Sequence, residues 1–165
     1  MDETEIRERR AFEWVCGRNT NGELSLGVKK NAIVPAYVIG LRDVSTKQVC
    51  SSSNHSILLS SNGKCFFSGS KLHGKLGKNN DTGKQTIFKE VAIQLPVKMV
   101  ACNDYTSLFL MQDQSLMTVQ SAHDFEPKLM TSLAGITLVQ IACGEHHSMA
   151  LDSNGDVYSW GTPAQ

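Results

Sequence analysis

The stretch from Ile141 to Gly161, IACGEHHSMALDSNGDVYSWG, sets the reading of the chain. The apolar residues Ile141-Ala-Cys143 precede Gly144-Glu-His-His147, and a second apolar run ends at Leu151. Asn154-Gly155 then leads into the alternating stretch that ends at Trp160-Gly161. Asn-Gly between two alternating runs is a strong hairpin signal, because both residues tolerate positive φ. The same pattern stands 92 positions earlier, VCSSSNHSILLSSNGKCFFSG from Val49 to Gly69, with seven of twenty-one positions identical. Among these are His55 with His147, Ser56 with Ser148, and Asn62-Gly63 with Asn154-Gly155; Pro35/Pro127, Leu41/Leu133 and Gln48/Gln140 keep the same offset. A faded copy from Ala101 to Gln120 lies 41 positions before the last one and keeps Ala101, Cys102, Ser107 and Leu110. The chain is therefore an array of repeats, spaced by 51 and then 41 residues.

Working outward, residues 1–11 read as a charged tail and residues 12–165 as repeat units near 12–46, 47–96, 97–136 and 137–165. The pattern predicts inner strands at Val49–Ser51, Val97–Cys102 and Leu138–Cys143. Second strands are expected at Ser56–Leu59, Leu108–Met111 and Ser148–Leu151, and third strands at Lys64–Ser68, Leu116–Val119 and Asp156–Trp160. Outer strands are expected at Pro35–Ile39 and Phe88–Ile93, since Pro is tolerated where a strand begins or lies at an edge. Glycine loops fill 17–27 and 69–77, and KNNDTGK (78–84) reads as polar turn material. The third unit has lost its glycine loop, and its hairpin turn is Gln112-Asp-Gln114. Short, evenly spaced strands with almost no helical pattern give an all-β chain. A unit of 40–50 residues with four antiparallel strands is one blade of a β-propeller. The array amounts to about three blades, fewer than a ring needs. Such an open array fits a piece of a longer protein, a ring completed by self-association through its open ends, or a curved stack standing alone.

Sixteen basic and sixteen acidic residues cancel, which argues against nucleic acid, chromatin or an anionic membrane as partner. No apolar run approaches the length of a membrane span, and MDETEIRERR is charged where a signal peptide needs an apolar core. Together with five cysteines outside any C-x-x-C pair, this reads as an intracellular chain of the cytoplasm or nucleus, its thiols reduced and mostly in strand cores.

Ile-Ala-Cys-Gly-x-x-His-Ser-x-Ala-Leu followed by Asn-Gly-x-Val-Tyr-Ser-Trp-Gly resembles the regulator of chromosome condensation repeat, as does Gly17-x-Asn19-x-x-Gly22-Glu-Leu24. Ser68 and Cys16 stand where the family usually has Trp. The resemblance implies a propeller of seven blades in complete members. It also implies one of two roles: a non-catalytic protein-interaction module, or guanine-nucleotide exchange on a Ran-like small GTPase, as in the founding member.

No catalytic residue, cofactor or metal site is expected. Cys143-Gly-Glu-His146-His147 offers zinc-ligand types but no second pair of ligands in sequence. The recurrence of His147 as His55 points instead to a side chain that bonds a turn within each blade. His55-Ser56 and His147-Ser148 are neighbours along a strand and so face opposite ways, which excludes a nucleophile and base pair. In a four-stranded blade the first-to-second and third-to-fourth loops emerge on one side. The candidate partner-binding residues on that side are Arg18, Asn19, Asn54, Lys71, His73, Asp104, Tyr105, Glu145 and His146.

Overall fold

The computed structural model describes residues 13–70, 83–119 and 127–161; the tail 1–11, Lys71 and His73 lie outside them. Among the described residues, thirteen strands form four antiparallel sheets. The first blade holds β1 (Trp14–Gly17) and β2 (Ala32–Tyr37). The second is β3 (Thr46–Ser51), β4 (His55–Ser60), β5 (Cys65–Ser70) and β6 (Lys84–Glu90), in that spatial order. The third is β7 (Val97–Cys102), β8 (Ser107–Met111), β9 (Leu116–Val119) and a two-residue β10 (Lys128–Leu129), so the eroded unit keeps all four strands. The fourth holds β11 (Leu138–Cys143), β12 (His147–Asp152) and β13 (Val157–Gly161). No helix among the described residues is long and apolar enough to cross a membrane.

The strand β8 shows how one sequence serves two cores. All five of its residues are buried. Side chains alternate across a strand, so Phe109 and Met111 join Ile57, Leu59, Cys65 and Phe67 of the second blade. Leu108 and Leu110 turn the other way, towards Leu138, Ile141 and Ala150 of the fourth. A strand between two neighbouring blades is apolar on both faces, which is why Leu-Phe-Leu-Met runs unbroken there.

The inner strands carry a second set of contacts. The Gln48 amide donates to the Val100 carbonyl (2.9 Å) and accepts from the Val100 N–H (3.1 Å), acting as a stretch of backbone between β3 and β7. Lys47 Nζ reaches the Lys98 carbonyl at 3.0 Å, and Lys98 Nζ the Leu138 carbonyl at 3.5 Å. The fourth blade repeats the donor side of this arrangement towards solvent. Gln140 is exposed, and Met149 and Val157, which match the buried Ile57 and Cys65, are 38% and 59% exposed. The described blades form an open array, not a closed ring.

Two outer strands begin earlier than the apolar pattern indicates. β2 starts at Ala32, and its Pro35 falls where the pairing with β1 shifts register, a place where the missing N–H of proline does no harm. β6 starts at Lys84 and not at Phe88. Its polar start is held by the glycine loop of the first blade: the Gly27 N–H donates to the Thr86 carbonyl (2.8 Å), and Lys84 Nζ to the Thr20 carbonyl (2.9 Å). Tertiary bonds thus make a strand where hydrophobicity gives no signal.

The hairpin turns superpose in chemistry. Backbone bonds close Ser60–Lys64, Met111–Ser115 and Asp152–Asp156 at 2.9, 2.9 and 3.0 Å. The residue with positive φ is Gly63 (83°), Gln114 (72°) or Gly155 (92°). Gln114 holds a conformation that costs a residue with a Cβ, and its buried Oε1 lacks a hydrogen-bond partner. Gln114→Gly is expected to raise stability by about 0.5–1 kcal/mol, read from the urea midpoint.

Candidate protein-docking rim

The loops between first and second strands of the second, third and fourth blades, 52–54, 103–106 and 144–146, lie side by side with the β1–β2 loop. Each blade boundary carries a direct contact. Arg18 Nη2 donates to the Ser53 carbonyl at 2.8 Å. The N–H and Oγ of Ser53 donate to the two carboxylate oxygens of Asp104 at 2.8 and 2.5 Å. Asn103 Nδ2 donates to the Gly144 carbonyl at 2.7 Å, and the Tyr105 ring lies 5.9 Å from that of His146. Four loops are therefore tied into one continuous rim.

Local chemistry fixes each loop. Ser52 Oγ accepts the N–H groups of Asn54 and His55 and lies 2.8 Å from His55 Nδ1. His55 is fully buried and bonds its own turn, while its Nε2 lies 3.4 Å from Ser107 Oγ of the next blade. In the third blade Asn103 takes over the turn, its Oδ1 accepting the N–H groups of Tyr105 and Thr106. In the fourth, the His147 ring lies over Gly144, so close that a Cβ there would sit 2.3 Å from Cε1.

The rim gathers Arg18, Asn54, Asp104, Tyr105 and His146, with Glu145 beside His146 at 3.6 Å. Arg18 also pairs with the buried carboxylate of Glu23 at 3.8 Å, which steadies its guanidinium at the surface. Tyr105 is 48% exposed, and Glu145 and His146 are exposed. Asn19 is the correction. It is fully buried, donating to the carbonyls of Val28 (2.7 Å) and Lys30 (3.2 Å) and accepting from the Leu24 N–H (2.9 Å). An amide can close a loop from inside as readily as it can meet a partner, and residue type alone does not separate the two roles. Sequence reading also passed over Ser53 and Asn103 as the residues that join the loops. No cluster of three or more metal-ligating side chains occurs among the described residues.

Successive antiparallel blades, packed face to face with their inner-strand loops on one rim, define a propeller-type repeat protein. Residues 14–59 and 138–163 match the Regulator of chromosome condensation (RCC1) repeat. Both stretches are repeats of that family. It is 28% identical over 172 residues to the E3 ubiquitin-protein ligase HERC2 of Homo sapiens, covering 96% of this chain and 4% of the ligase. It is 27% identical to the RCC1 domain-containing protein RUG3, mitochondrial, of Arabidopsis thaliana, covering 91% of this chain and 37% of that protein. The chain thus spans well under half the length of these relatives. Among solved structures, human WBSCR16 superposes with a TM-score of 0.85 at 20% identity, over 93% of this chain and 44% of that one. Prp20p of Saccharomyces cerevisiae gives 0.73 at 22% identity, over 90% and 40%. These likenesses establish the fold.

Proposed function

We propose that the chain is a non-catalytic protein-interaction segment of the cytoplasm or nucleus, and that its partner docks on the rim formed by Arg18, Asn54, Asp104, Tyr105, Glu145 and His146. The supporting observation is the unbroken series of contacts from Arg18 through Ser53 and Asp104 to His146. A rim held by its own backbone and side-chain bonds loses little conformational entropy on binding. Its mix of one anchored cation, carboxylates and exposed aromatic rings suits the edge and centre of a protein interface. The hairpin turns on the other side, with Asn62, Asp113 and Asn154, offer short polar loops and no aromatic ring. Tyr105→Ala with His146→Ala is expected to weaken partner binding at least about tenfold. Asn62→Ala with Asp113→Ala leaves it within about twofold, measured with the partner immobilised.

A second reading, exchange on a Ran-like GTPase, is favoured by one likeness: binding of Prp20p to Gsp1p and histones is described with its structure. Nucleotide release from such a GTPase, accelerated by catalytic amounts of the chain, establishes exchange; an unchanged release rate leaves the binding module alone. The open face of the fourth blade, with Gln140, Met149 and Val157, is the surface through which the array associates with another unit.

A further inference from the structure

Beneath the rim, the inner strands of the second and third blades run in register over a short distance. Gln48 bonds both backbone groups of Val100, and Ser53 bonds both carboxylate oxygens of Asp104. Between these two fixed points, two residues on from Gln48 and from Val100, stand Cys50 and Cys102. A step of two residues returns to the same face of a strand, so both thiols enter the space between the blades. Cys50 packs against the apolar cluster that contains Cys102, and each thiol shifts the ionisation of the other. Both are free thiols; Cys102 is buried, and Cys50 keeps partial exposure.

The imidazole of His55 stands beside them. His55 Nδ1 lies 3.0 Å from Asn54 Oδ1. The same nitrogen lies 2.8 Å from Ser52 Oγ, so the turn of its own blade fixes the ring. Nε2 lies 3.4 Å from Ser107 Oγ, and the imidazole is near enough to Cys102 to favour its thiolate. Cys102 is accordingly drawn down to about 6, by the Cys50 thiol and by His55 against the opposing effect of burial. Burial pushes Cys65 up to about 12 and Cys143 to about 11. Thiolate character is thus concentrated at one of the buried sulfurs.

The geometry points to Cys50 and Cys102 as a peroxide-oxidisable pair that closes to a disulfide joining the second and third blades. Cys102 releases its proton to water. The thiolate attacks one oxygen of a small hydroperoxide such as hydrogen peroxide, the O–O bond breaks, and the leaving hydroxide takes up the released proton to give water. The sulfenic acid on Cys102 is then attacked by the Cys50 sulfur, an S–S bond forms, and the hydroxyl leaves as a second water with the Cys50 proton. Two thiols lose two electrons in all, and one peroxide is reduced to two waters. The crosslink lies directly under the Ser53–Asp104 contact and fixes the spacing of two rim loops.

The test uses the full chain carrying Cys16→Ser, which removes the exposed thiol and leaves the core untouched. One equivalent of hydrogen peroxide is expected to lower the intact mass by about 2 Da and to link the peptides containing Cys50 and Cys102. Cys65 and Cys143 stay open to alkylation after unfolding, and dithiothreitol restores the starting mass. With Cys50→Ala added, the Cys102 sulfenic acid persists and dimedone labelling rises at least about tenfold over the parent. Two results overturn the assignment. One is a linkage through Cys65 or Cys143. The other is Cys50 and Cys102 both recovered as free thiols from folded protein after about a hundredfold excess of peroxide.

Discussion

Gly69→Ala is expected to cost about 3–5 kcal/mol, and Gly17→Ala only about 1 kcal/mol, although the two glycines share a φ of 119°. Both angles lie where a Cβ is disfavoured, so each substitution carries backbone strain. The difference is what the new methyl group meets. At Gly69 a Cβ would stand 2.5 Å from the Asn54 carbonyl oxygen and 2.6 Å from His55 Cα, because Gly69 pairs with His55 across β4 and β5. Both obstacles are backbone and cannot swing aside, so the hairpin must open where it supports Asn54 and the rim. At Gly17 nothing lies within 4 Å, since no strand pairs with that side of β1 among the described residues. In a chain of this size the Gly69 change corresponds to a loss of about 10 °C in Tm, and the Gly17 change to about 3 °C. Thermal unfolding of the two variants side by side checks the pair. An equal loss at both positions contradicts the open edge of β1.

Gln48→Leu is expected to cost about 2–4 kcal/mol in a urea titration. Leucine fills the space but leaves the N–H and carbonyl of Val100, a residue 1% exposed, without the partner that Gln48 supplies. An unpaired buried backbone group costs more than the net worth of the bond it lost, and here two are orphaned together. The second and third blades also lose the contact that sets their inner strands in register. Gln140→Leu changes the same repeat position on an exposed surface and is expected to stay within about 0.5 kcal/mol. Comparable losses at Gln48 and Gln140 show that another unit covers the fourth blade in solution.

What the sequence revealed follows from which forces leave a local trace. Asn62-Gly63 and Asn154-Gly155 mark turns because positive φ selects residue types, and Val97–Cys102, Leu116–Val119 and Leu138–Cys143 are strands where the apolar pattern placed them. Sidedness of the loops was also legible, because it follows from the antiparallel order of four strands. β6 was displaced because Lys84, Gln85 and Thr86 carry no apolar signal; the glycine loop of the first blade recruits them. Asn19 looked like a surface amide because its three loop bonds come from residues five to eleven positions away. The match of Gln48 with Gln140 was visible as an offset, but its meaning needed the neighbouring blade. Tertiary bonds by polar side chains leave no periodicity.

The most direct test of the docking rim is a photocrosslinking residue placed at Tyr105 in one chain and at Asn62 in another, each expressed in cells that carry its natural partners. Tyr105 is expected to yield a discrete adduct with another protein that weakens when Arg18, Glu145 and His146 are changed to alanine, while Asn62 yields none. Adducts of equal yield from both positions, or from Asn62 alone, contradict a partner docked on the rim.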